Sequence, residues 1–188
     1  MTPTRSLAAP PPMAPSREAS RDQLELARVQ GRAARLVVDC MTRFDSRGEE
    51  VAVGDFLIGY AVNLARGMYV LDGDTLRWRK PGKENAHIEV SVRDAADGRF
   101  VPGLNVEVAV ERLDGTEVGT HVHPFVWHPW MHHYGRNWIL PHDGHYTLRI
   151  RVDVPDFPRH DRINGQRFLE AVEAIFRHVL IRTGHKKD

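Results

Sequence analysis

Tyr146-Thr147-Leu148-Arg149-Ile150-Arg151-Val152-Asp153-Val154 alternates apolar and polar residues along its whole length. A period of two is what a strand needs when one face lies on a core and the other on solvent. Leu104-Asn105-Val106-Glu107-Val108-Ala109-Val110 repeats the pattern, with leucine and valines on one face. Outward from these runs, further β-type segments read at 57–65, 76–79, 86–93, 118–127 and 137–140, and the turn pairs Asp72-Gly73, Asp97-Gly98, Asp114-Gly115 and Asp143-Gly144 punctuate them. About seven short strands of this kind predict a mainly β fold, an immunoglobulin-like antiparallel β-sandwich over residues 52–160. A barrel is the other closure of the same strands.

Both flanks change texture. Residues 1–19 carry Pro3, Pro10, Pro11, Pro12 and Pro15 among alanines and serines, a composition that reads as a disordered tail. Ser20 or Asp22 can cap a helix in which Leu24, Ala27, Ala34, Val37, Val38 and Met41 recur at helical spacing, which predicts an N-terminal helix over 20–43, weakened in its middle by Gly31. After Pro155 and Pro158, the series Phe168, Ala171, Val172, Ile175, Phe176, Val179 and Leu180 predicts a C-terminal helix over 165–183.

Composition narrows the function. In 188 residues, 26 basic and 25 acidic side chains give a formal charge of +1, which offers no field for nucleic acid. The single cysteine, Cys40, excludes an internal disulfide and a four-thiolate metal site, so any metal must be held by imidazole, carboxylate or thioether. Prolines and early charges rule out a signal peptide in the N-terminal stretch. No apolar run approaches the roughly 20 residues of a membrane helix. As written, the chain reads as soluble and cytoplasmic.

Chemistry concentrates in two places. Seven of the eleven histidines fall at His121, His123, His128, His132, His133, His142 and His145. Imidazole is the commonest protein ligand of first-row transition metals, and several on one loop-rich stretch can converge on an ion. In Ala86-His87-Ile88-Glu89-Val90-Ser91-Val92 the apolar residues take one face, so His87 and Glu89 project together from the other, within roughly 7 Å of each other.

These segments carry a resemblance. His87-Ile88-Glu89, His133-Tyr134-Gly135-Arg136-Asn137, Gly144-His145-Tyr146-Thr147-Leu148 and Arg159-His160-Asp161 follow one another in the order of motifs found in the bacterial periplasmic iron-transport proteins. Those are copper-binding, immunoglobulin-like sandwich proteins that assist ferrous iron uptake. The resemblance spans about 55–165. It implies metal ligation by His87, Glu89 and His133, with His160 as a further ligand or as a bridge across a homodimer. It also implies copper or iron as the ion, a membrane iron permease as partner, and a periplasmic or cell-envelope location. The family's methionine ligand falls at Val126, which cannot coordinate, so His123, His128 and Met131 are the candidates to replace it. Methionine favours Cu(I), whereas imidazole with carboxylate suits Cu(II), Fe(II) or zinc. Imidazole ligands must be deprotonated, so metal binding is expected to weaken below about pH 6.5.

Two other functions fit the residues less well. His121-Val122-His123 is similar to the HxH of cupin-like oxidoreductases, yet the rest of that pattern is missing and no carboxylate lies between 118 and 142 to serve as acid or base. A structural or partner-binding sandwich would use Trp127, Trp130, Tyr134 and Trp138 as a recognition patch. The reading is therefore a metal carrier, not an enzyme.

Overall fold

The computed structural model describes residues 10–45 and 47–186. Helix α1 (Arg21–Cys40) runs into a π-helical turn (Met41–Asp45) and is followed by eleven strands: β1 (Glu49–Val53), β2 (Phe56–Asn63), β3 (Met68–Asp72), β4 (Thr75–Arg79), β5 (Ala86–Asp94), β6 (Val106–Arg112), β7 (Glu117–His123), β8 (Phe125–Val126), β9 (His133–Trp138), β10 (Gly144–Val152) and β11 (Val172–Ile181). One sheet runs β1-β2-β5-β9-β8 and a second β11-β10-β6-β7, all neighbours antiparallel, while β3 and β4 form a separate hairpin. The architecture is an antiparallel sandwich and not a barrel.

The alternation that predicted the strands is the alternation that builds the core. Tyr146, Leu148, Ile150 and Val152 of β10 and Val106, Val108 and Val110 of β6 are fully buried. They face Ile88, Val90 and Val92 of β5 and Ile58 of β2 across the sandwich. On the outer surface Arg149 bridges Glu111 at 2.8 Å and Glu173 at 3.1 Å, tying three strands together. Gly73, Gly98 and Gly115, from three of the predicted turn pairs, take left-handed φ values of 65°, 83° and 85°, which glycine adopts without steric cost.

The predicted C-terminal helix is a strand. Residues 172–181 pair with β10, and the sandwich therefore extends to Ile181, beyond the expected limit of 160. The pairing slips between Tyr146↔Val179 and Leu148↔Phe176, and His178 in the bulge has φ 58°. The buried residues of β11 are thus Ala174, Phe176, Val179 and Ile181. The bulge lengthens one interval from two residues to three, and the mixed spacing imitates a helical period.

Helix α1 matches its sequence-based expectation closely. Ser20 accepts from the Gln23 N–H while the Gln23 side chain accepts from the Ser20 N–H, a complete capping box. Gly31 has a packing reason: a Cβ there would lie 1.7 Å from the carbonyl oxygen of Asp97, so the helix backbone rests directly on the turn after β5. Val38 and Met41 pack with Ala61 and Met131, which covers the outer face of the first sheet. Of the expected N-terminal tail, residues 1–9 lie outside the described residues. Residues 10–19 are irregular but tied down. The Ala14 N–H donates to Asn164 Oδ1 at 2.9 Å, Asn164 Nδ2 donates to the Ala14 carbonyl at 2.9 Å, and the Ser16 hydroxyl donates to Asp161 at 2.8 Å.

Candidate metal centre

Strand β5 is buried on both sides. Ala86, Ile88, Val90 and Val92 enter the core, while His87, Glu89, Ser91 and Arg93 point outward beneath the covering helix and loops, each no more than 4% exposed. Two polar groups therefore sit side by side under cover. The neighbouring strand β9 presents His133, Gly135 and Asn137 on the same outer face, in register with β5: Glu89 faces Gly135 and His87 faces Asn137. Tyr134 turns the other way, and its hydroxyl donates to the Val101 carbonyl at 2.8 Å and accepts from the Leu104 N–H at 3.0 Å inside the core. The period of two thus sorts His-Tyr-Gly-Arg-Asn into anchoring and site residues.

His87, Glu89 and His133 each offer a ligand atom, and these atoms all lie within 4.8 Å of one another. Both nitrogens of His133 are buried without a hydrogen-bond partner, an arrangement that costs free energy unless something binds there. A Cβ on Gly135 would sit 3.0 Å from His133 Nε2 and 3.1 Å from His87 Nε2, so glycine leaves open the space toward which both imidazoles direct a nitrogen. His87 is oriented from behind. Asn137 Nδ2 donates to the Arg66 carbonyl at 2.8 Å, and that bond turns Oδ1 toward His87 Nδ1 at 2.9 Å. Nδ1 then carries the proton, and the Nε2 lone pair points into the site.

Burial sets the protonation. It pushes His87 down to about 3, with the charges of Arg66 and His133 adding to the effect, and pushes His133 down to about 4, helped by His128 and Arg66. Both rings are neutral and able to ligate well below pH 6.5, so the expected loss of metal binding belongs near pH 4. Glu89 is held by Arg66, whose guanidinium stands 3.3 Å from its carboxylate, and His87 Nε2 stands 3.7 Å from the same oxygen. Two adjoining cavities open onto the cluster. One of about 970 Å³ is walled by Tyr69, Leu71, Leu76 and Trp78 of the β3–β4 hairpin and by Trp127, with His87 and His133 on its floor. The other, of about 350 Å³, is lined by Glu89, Met131 and Asn63. Arg66, His128 and Lys186 line both.

The remaining expected ligands divide. His128, with its ring 6.3 Å from that of His133, and Met131, on the wall shared with Glu89, lie at the site. His123 does not join the cluster: its Nε2 accepts the Trp138 indole N–H at 3.0 Å, and burial pushes its pKa down to about 3. His121 packs against the same indole, with ring centres 4.7 Å apart, so the His-Val-His pair serves packing. His160 stands apart on the surface, 93% exposed and 3.1 Å from Glu18. Val126, at the position of the family methionine, forms part of the wall of the larger cavity. Arg66, Gly135 and Asn137 were not singled out as site residues. The period of two through 133, 135 and 137 carried the signal for the last two, whereas Arg66 follows β2 in a loop without pattern.

The model of the family described as Fe2+ transport protein matches residues 73–174, more than half of the chain. The chain belongs to that family. Solved structures agree on the fold. A copper-bound variant of Campylobacter jejuni P19 superposes with a TM-score of 0.61 at 15% identity, over 74% of this chain and 97% of that one. FetP of a uropathogenic Escherichia coli, expressed recombinantly in the periplasm, gives a TM-score of 0.61 at 17% identity, over 72% and 94%. Copper-reconstituted P19 gives 0.59 at 16%, over 74% and 96%. No curated protein matches. Helix α1 lies wholly outside the stretch that the family model matches. No helix among the described residues is long and apolar enough to cross a membrane.

Proposed function

We propose that this chain is a carrier that captures copper or ferrous iron through His87, Glu89 and His133, with His128 and Met131 in reach, and hands the ion to a membrane iron permease. The observation that carries this reading is the convergence of three buried ligand atoms within 4.8 Å where two open cavities adjoin. Two neutral imidazoles and a carboxylate suit Cu(II) and Fe(II), and zinc by the same donor chemistry. The site has one side open, as a carrier that must release its cargo requires, and Glu89 is committed to ligation, which argues against a catalyst.

The rim supports a homodimer. Tyr69, Leu71, Leu76, Trp78 and Trp127 are 46–69% exposed around the mouth of the larger cavity, a contiguous apolar surface of the kind that a second copy covers. His160, being on the outside, reaches a metal only as a bridge to another copy.

The test is elemental analysis and affinity measurement after exposure to Cu(II), Fe(II) or Zn(II), beside a His87→Ala/His133→Ala variant. One ion per chain, lost in the variant, is the expected result. Equal uptake by the variant, or none by the wild type, overturns the proposal.

A further inference from the structure

Glu89 is a carboxylate in the middle of a central strand, with its side chain 5% exposed, and such a charge is costly to bury without a partner. Arg66 supplies one at 3.3 Å while remaining 19% exposed itself. Its side chain also lines both cavities, so a path out of the site lies beside it. Its backbone does a different job, holding Asn137 through the Arg66 carbonyl at 2.8 Å.

The Glu89 oxygen that the guanidinium faces is also the one that His87 Nε2 approaches at 3.7 Å, which makes it the oxygen nearest a second ligand. A metal ion bound by His87, Glu89 and His133 brings positive charge to within a few ångströms of another cation. Both approach the same oxygen, Oε1, so the ion and the guanidinium contend for it. We infer that Arg66 is a built-in competitor for the metal: it pairs with Glu89 when the site is empty and turns toward the larger cavity when an ion arrives. This inference rests on the proposed metal site and concerns its affinity and selectivity.

Two consequences follow from charge. Release of the ion never leaves a buried carboxylate unpaired, because the guanidinium returns as the ion departs, so the cost of emptying the site is lowered and affinity is held down. Exchanging a guanidinium for a monovalent ion gains no charge, whereas exchanging it for a divalent ion does, so the pair favours Cu(II) or Fe(II) over Cu(I). Val126, in place of a thioether, acts in the same direction.

The experiment compares wild type, Arg66→Met, Glu89→Gln and the double variant. Its readouts are Cu(II) and Cu(I) affinity and the melting temperature of the metal-free protein. Since the Asn137 bond comes from the Arg66 main chain, Arg66→Met leaves the His87 support intact. Arg66→Met is expected to raise Cu(II) affinity by about tenfold or more, because the ion no longer displaces a guanidinium from the Glu89 oxygen and a like charge a few ångströms away is gone. It should raise Cu(I) affinity less and lower the melting temperature of the metal-free protein. In the Glu89→Gln background the same change should raise affinity clearly less, because only the like-charge field is then removed. A wild type that binds Cu(II) while Arg66→Met binds no tighter overturns the competition alone. So does an equal gain in the Glu89→Gln background, which would mark a general field and not a shared carboxylate. A wild type that takes up no metal overturns both the competition and the carrier reading.

Discussion

Two arginine–carboxylate pairs lie on the outer face of the first sheet, and they are built to different ends. Arg93 meets Glu50 through two parallel bonds, Nε at 2.9 Å and an Nη at 2.6 Å, and spends its other Nη on the Gly98 carbonyl at 3.0 Å. The side chain is 2% exposed and each of its three nitrogens donates a bond. Arg66 approaches Glu89 at the longer distance of 3.3 Å and lines both cavities. The same chemistry thus serves as a clamp at one end of β5 and as a replaceable partner in its middle. What separates the two is whether space is left beside the carboxylate.

The largest effect that could break this contrast is on stability. Glu50→Ala strands the buried Arg93 charge and is expected to cost about 3–5 kcal/mol of folding free energy, read by urea denaturation. Arg66→Met in the metal-free protein should cost much less, because the Glu89 carboxylate borders a cavity that admits water. Equal losses would mean that both pairs are clamps.

Acid gives the next largest effect. His87, His123 and His133 are pushed down to about 3, 3 and 4 in the fold, whereas in the unfolded chain an imidazole takes its proton near pH 6.5. Between those limits the unfolded state binds more protons, so stability is full above pH 6.5 and is lost progressively as pH falls toward 4. Urea midpoints should drop across that window. Metal affinity per folded molecule should hold to about pH 5 and collapse near pH 4, where His133 protonates. A collapse already at pH 6.5 would mean that solvent reaches the imidazoles.

The smallest effect sharpens how the open site is held. Asn137→Ala frees the His87 ring and is expected to weaken metal binding by about 10–100-fold, the usual range for a residue that orients a ligand. Its effect on the urea midpoint should be minor beside that of Glu50→Ala. A change in midpoint without a change in affinity would assign Asn137 to the Arg66 loop alone.

Much of this arrangement was legible in the chain. Period two in 146–154, 104–110 and 86–92 placed the strands and set His87 and Glu89 on one face, because each buried strand face writes itself as alternation. What escaped has physical causes. The bulge at His178 broke the alternation of β11, so its intervals of two and three looked helical. Strand β1 is largely exposed, so no buried face marks Glu49-Glu50-Val51-Ala52-Val53. Arg66 reaches Glu89 through tertiary folding, and nothing local announces it. His123 was a reasonable ligand by residue type, but the pleat turns it to Trp138.

Helix α1 rests its Gly31 on the carbonyl of Asp97, and the segment before it is fastened to Asp161 and Asn164. In the order of synthesis this helix emerges early, while the turn and loop that receive it come later, the last of them only after most of the sandwich has been made. With a glycine in its middle it draws part of its stability from this docking. The element that roofs the outer sheet face can therefore dock only on parts of the chain made after it, and the polar face of β5 is covered only once they are in place.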